Sequence, residues 1–173
     1  MCVVWTTTSF NFYLLYYLVN SFERVYQIAL FISIADICAY ITGSILVTKV
    51  SARQTLVFSF SLAALGGFLL LTYGLRHEDT TWFSLLFFVS RFGIASTFGT
   101  IYFGNKKIFP DDVAASSMGL IQVVARLFSA LQFFFSQMEQ PTPMLIFTIS
   151  STVTAILCLF LKEQDQRPSK NFD

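Results

Sequence analysis

Apolar residues run in long unbroken blocks along this chain, and polar residues collect in the short gaps between them. Six blocks stand out, at about 2–20, 28–47, 55–75, 81–103, 114–136 and 144–161. Each is near the ~20 residues that an α-helix needs to cross a hydrocarbon core. Period-two alternation is absent, which argues against a β-barrel. The pattern predicts an all-α membrane protein: a six-transmembrane-helix bundle over residues 1–161, then a polar cytoplasmic tail at 162–173 expected to be disordered. The gaps are Ser21 to Gln27, a short loop bracketed by Lys49 and Arg53, Arg76 to Thr80, a hinge at Asn105 to Asp112, and a Pro-rich turn at Glu139 to Pro143. Within the third block, Ala63 and Gly67 form a small-xxx-small pair that allows a neighbouring helix to approach closely.

Composition strengthens this picture. Of the 173 residues 55% are hydrophobic and 12% charged, against about 25% charged in soluble domains. Phe occurs 21 times, more apolar surface than a soluble fold of this size hides. The lipid bilayer is therefore the expected solvent. A net charge of +1 gives no reason to expect nucleic acid as a partner. Cys2, Cys38 and Cys158 show neither zinc-ligand spacing nor a disulfide framework. His77, beside Arg76, Glu78 and Asp79, reads as a solvated loop residue rather than a metal ligand. Nucleophile–base pairs and Gly-rich phosphate loops are absent, so neither an enzyme nor a cofactor is expected. Met1 to Trp5 lacks a positive n-region, so a removable signal peptide is not expected.

Charge bias in the gaps predicts orientation. With six spans, Lys49, Arg53, Lys106, Lys107, Lys162, Arg167 and Lys170 share one side, and Arg24 and Arg76 the other. The positive-inside rule then puts both termini in the cytoplasm.

Three ionisable groups remain, and they carry the candidate chemistry. Asp36, Arg91 and Arg126 each fall near the middle of a span, so all three are expected near the bilayer midplane. One carboxylate and two guanidiniums leave a surplus positive charge there, which calls for a counter-ion. An anionic ligand supplies one, and the arginine fork suits a carboxylate. Gln122 and Ser129, at i−4 and i+3 from Arg126, add polar groups to the same face. Sites for transported solutes are expected at this depth between helices. The competing arrangement pairs Asp36 with one arginine while the other snorkels or meets backbone carbonyls. Aromatic residues such as Tyr13, Tyr16, Tyr40, Phe98 and Phe128 either line a cavity or pack within the bundle.

Several short motifs occur in a particular order. Trp5-Thr-Thr-Thr-Ser-Phe10 precedes Phe12-Tyr13, and Ala35-Asp36-Ile37-Cys38-Ala39 lies in the second span. Arg91-Phe-Gly-Ile-Ala95 is followed by Ile101-Tyr102 and Phe109-Pro110; Ser117-Met-Gly119 and Ala125-Arg126-Leu127 follow. In this order they resemble helices seven, eight, ten and eleven of the organic cation/organic anion/carnitine transporter family. That family belongs to the major facilitator superfamily, and the resemblance covers nearly the whole chain as the C-terminal six-helix half of such a fold. It implies transport of small organic solutes by alternating access, with a second six-helix half as partner and the plasma membrane as location. An Arg at position 126 implies anionic or zwitterionic substrates. Arg91 also falls where anion-carrying relatives have a basic residue, and Tyr13 falls on a cavity-lining aromatic pair.

The sequence also departs from the family. Thr48-Lys49-Val50-Ser51-Ala52-Arg53 replaces a loop that usually reads Asp-Arg-x-Gly-Arg-Arg. Lys107 and Ala114 stand at the charged positions after helix ten, and Tyr40 stands where several anion carriers have Lys. The expected substrate-binding set is Arg126, Arg91, Asp36, Tyr13, Tyr40 and Gln122. The alternative is a carrier-derived structural or accessory subunit of a membrane complex, without transport.

Overall fold

The computed structural model describes residues 1–19, 22, 24–73, 81–108 and 111–161, the side chains of 104–108 and 111–114 excepted. Asn20, His77, the side chains of Lys106 and Lys107, the Phe109-Pro110 turn and the 162–173 tail lie outside the described residues. Within them, all regular structure is helical: α1 (Cys2–Leu18), α2 (Val25–Lys49), α3 (Ala52–Thr72), α4 (Thr81–Ile108), α5 (Asp111–Ala130), α6 (Gln132–Ser136) and α7 (Thr142–Leu159).

Among the described residues, five stretches are long and apolar enough to cross a membrane: Val25–Lys49, Ala52–Thr72, Thr81–Phe103, Ala115–Ser136 and Thr142–Leu159. Their outer faces expose Leu30, Phe58, Phe68, Leu127 and Phe134, side chains that lipid solvates and water does not. The chain is an integral, multi-pass membrane protein. α1, where a sixth span is expected over 2–20, has 17 residues. The stretch expected as one span at 114–136 is two helices, α5 and α6. They join at Leu131, whose N–H bonds the Phe128 carbonyl in a tight i→i−3 step. α4 runs past Phe103 to Ile108, into the stretch expected as a hinge.

α4 is the axis of the bundle. Of its membrane-crossing stretch 61% is buried, against 22% for Ala115–Ser136. α2 packs on one side of α4 and α3 on the other; α1 crosses it, α7 lies against α3 and α1, and α5 lies against α1. Glycine sets the α3–α4 distance. A Cβ at Gly93 would stand 2.6 Å from the Ala63 nitrogen and 2.7 Å from the Ser59 oxygen. One at Gly66 would stand 2.5 Å from Ser90 Oγ. Ser59, Ala63 and Gly66 therefore form the face that receives α4. The expected Ala63–Gly67 pair is divided between two neighbours, because a Cβ at Gly67 would meet Thr148 and Phe147 of α7 instead. Gly66, which meets α4, and Gly67, which meets α7, are one position apart in the helix, so about 100° of rotation separates them.

Short polar side chains hold the helices together where lipid offers no hydrophobic drive between them. Asn11 Nδ2 donates to Ser151 Oγ (3.0 Å), and Ser150 Oγ donates to Asn11 Oδ1 (2.9 Å). Thr154 donates to Thr7 (3.1 Å), Thr97 to Thr8 (3.1 Å) and Ser59 to Ser96 (3.2 Å). Thr7, Thr8 and Asn11 of α1 are thus spent on contacts with α4 and α7. At the opposite end of the bundle Phe22, Phe83 and Phe87 close the core through edge contacts.

Candidate functional site

Arg91 sits on the buried face of α4 and is 2% exposed. Its fork closes on Asp36 of α2. Nε donates to Oδ1 at 2.7 Å and Nη2 donates to Oδ2 at 2.9 Å. Nη1 donates to the Phe12 carbonyl of α1 at 2.6 Å, and the guanidinium carbon lies 3.4 Å from the Phe12 ring centroid. Three helices are therefore tied by one side chain through charge-assisted hydrogen bonds and a cation–π contact. Asp36 remains 25% exposed, and with Arg91 it lines a 300 Å³ cleft that includes Tyr16, Val25, Ile32 and Ser33.

Arg126 has a different environment. It lies on the exposed face of α5, and Nη1 donates to the Tyr13 hydroxyl at 2.7 Å. The guanidinium carbon is 5.6 Å from the same ring. Among the described residues no carboxylate pairs with it. Both guanidiniums thus reach consecutive residues of α1, Arg91 the carbonyl of Phe12 and Arg126 the hydroxyl of Tyr13, so they stand at one level along the bundle.

The remaining expected residues, Tyr40 and Gln122, connect to these two arginines through Tyr102 and through their own helices. Tyr40 stands one helical turn from Asp36 on α2, and its phenol feels the charges of Asp36 and Arg91 and the neighbouring hydroxyls of Tyr102 and Tyr13. Gln122 Nε2 donates to the Tyr102 hydroxyl at 3.3 Å. Gln122 and Arg126 are one helical turn apart on α5. The result is a polar ring drawn from four helices: Arg126, Tyr13, Tyr40, Tyr102 and Gln122, with the Arg91–Asp36 pair beneath. Ser129 is not part of the ring; it is 4% exposed and faces the interior.

Tyr102 and Phe12 are the residues that the candidate set lacks. Tyr102 is about three turns past Arg91, so helix periodicity already places it on Arg91's face. Trp5 holds its ring in place by an edge contact at 5.0 Å. Phe12 contributes its ring face and its backbone carbonyl, and no side-chain pattern reveals the carbonyl.

The chemistry of the ring follows from its donors. Each tyrosine hydroxyl that accepts a bond, Tyr13 from Arg126 and Tyr102 from Gln122, keeps its own O–H to donate. Arg126 adds further N–H groups and a full positive charge. The ring therefore offers hydrogen-bond donors to a group that carries acceptor oxygens.

No family model matches the chain. It is similar to a curated mouse protein, "Solute carrier family 22 member 21", at 26% identity over 166 residues, covering 93% of this chain and 29% of the mouse protein. This distant similarity and the apolar helices together mark the chain as transporter-related.

Proposed function

We propose that the chain is the C-terminal half, or a fragment, of a secondary carrier for small organic anions or zwitterions, working by alternating access. The observation that carries this reading is Arg126, an exposed guanidinium midway along a membrane-crossing stretch, bonded to a tyrosine hydroxyl and set in a ring of donors. In lipid such a cation is costly, and a cation retained at that depth is a site to be filled by an anion. The ring, with Tyr13, Tyr40, Tyr102 and Gln122, holds the solute's carboxylate or sulfate. Arg91 and Asp36 act beneath it as a positioning pair, fixing α1, α2 and α4 relative to one another. The exposed carboxylate edge of Asp36 receives the cationic end of a zwitterion.

The ring faces out of the bundle, so an enclosed cavity requires a second helical unit opposite, from a longer chain or from another copy. Both termini are cytoplasmic in this reading. The similarity to a solute carrier supports it, as does the agreement between the midspan charges and the ring.

Uptake of a radiolabelled aryl carboxylate by cells expressing the protein tests the assignment. Arg126→Gln is expected to abolish uptake while leaving surface expression unchanged, because the side chain is exposed and supports no packing. Uptake at unchanged KM in that variant would remove Arg126 from the site.

A further inference from the structure

A second surface of the molecule is shaped for a ligand of another kind. Two contiguous cavities, about 780 and 430 Å³, run along the seam between α3 and α7 on the outer face of the bundle. They share Val57, Ser61 and Leu159. The floor is made of small residues, Ser61 and Ala64 on α3 and Thr152 and Ala155 on α7. Phe58, Leu65, Phe68 and Leu159 form the walls. At Gly67 the two helices close together and the floor is sealed against Phe147 and Thr148.

The groove is apolar in effect. Thr148 and Thr152 donate their hydroxyls to helix carbonyls, at Met144 and Thr148, and so present methyl groups outward. A polar solute would find few partners along its length. The head is different: Arg53, Gln54 and Ser51 line it, at the end of α3 that stands level with the end of α7. From Arg53 to Phe68 the helix rises about 22 Å at ~1.5 Å per residue. One leaflet with its headgroup layer is about 20–22 Å deep. Length, apolar wall and terminal cation fit one occupant.

We infer that the α3–α7 groove binds a single anionic glycerophospholipid, with its phosphate at Arg53 and Gln54 and one acyl chain along Val57, Leu65 and Ala155. The arginine fork matches phosphate oxygens, and a cation at the headgroup level attracts anionic lipid over zwitterionic. The tyrosine ring is drawn from α1, α2, α4 and α5 and shares no residue with the groove, so this lipid does not compete with a transported solute. Its role is to fill the α3–α7 seam.

Native mass spectrometry of the purified full chain tests this, after equilibration with equal amounts of phosphatidylglycerol and phosphatidylcholine. The expected result is one retained phospholipid per chain, with phosphatidylglycerol favoured about fivefold, the worth of one cation at the headgroup level. Arg53→Gln should keep binding and lose the preference. Ser61→Phe, which fills the floor, should lose both lipids while keeping its helical content. Ala155→Leu fills the same floor from α7 and is the second test should Ser61→Phe fail to fold. Equal retention of the two lipids by the wild-type chain overturns the inference. So does a preference that survives Arg53→Gln, a filled groove that still holds lipid, or displacement of the phospholipid by free palmitate.

Discussion

Arg91 and Asp36 meet through two parallel N–H···O bonds of 2.7 and 2.9 Å, from different helices, with the arginine 2% exposed. This pairing divides the midspan charges. One arginine is neutralised inside the bundle, and the other, Arg126, carries the surplus at the ring.

Breaking the pair from one side leaves a buried charge without its counter-charge. Asp36→Leu or Arg91→Leu alone is expected to cost about 3–5 kcal/mol, whereas replacing both partners by apolar residues of similar volume costs less. Thermal unfolding in detergent of Asp36→Leu, Arg91→Leu and the double variant provides the measurement. If the double variant is as unstable as the sum of the singles, the pair is not coupled.

Tyr13 accepts from Arg126 and orients its fork. Tyr13→Phe keeps the ring and removes the acceptor, a hydrogen bond to a charged group worth about 1.5–3 kcal/mol. Under the proposed function, KM for an anionic substrate should rise about tenfold or more while maximal uptake changes less. An unchanged KM would show that the hydroxyl does not hold Arg126 in its working position.

Close packing of α3 on α4 makes Gly93 intolerant of side chains. Gly93→Ala should destabilise by about 1–3 kcal/mol through overpacking against Ala63 and Ser59. Gly99 lies in the same helix with nothing within 4 Å of a built Cβ, so Gly99→Ala should be neutral or stabilising by up to about 1 kcal/mol. Equal effects at the two positions would contradict the packing seen here.

Asn11 bridges α1 to Ser150 and Ser151 of α7 and is fully buried. Asn11→Ala removes two interhelical bonds, each worth about 0.6 kcal/mol in a membrane bundle, and leaves the serines unpaired across the seam. A fall in unfolding free energy of roughly 1–2 kcal/mol is expected. Retention of wild-type stability would assign the α1–α7 contact to van der Waals packing alone.

Much of this protein was legible in the chain itself. Apolar block length and the scarcity of charge dictate membrane helices, because only an element that satisfies its own backbone can cross lipid. The cost of charge in lipid singles out Asp36, Arg91 and Arg126 before any coordinate is known. Which helices touch is another matter, since hydropathy carries no information about neighbours when lipid and protein are equally apolar. Only the tertiary structure decided that Arg91 closes on Asp36 and Phe12 while Arg126 stays outside with Tyr13, because that depends on how α1, α2 and α4 are rotated about their axes. The rotation of α3 turned Gly67 away from α4 and toward α7, and that of α4 brought Tyr102 into the ring. Periodicity places residues on a face of their own helix; packing between helices determines what that face meets.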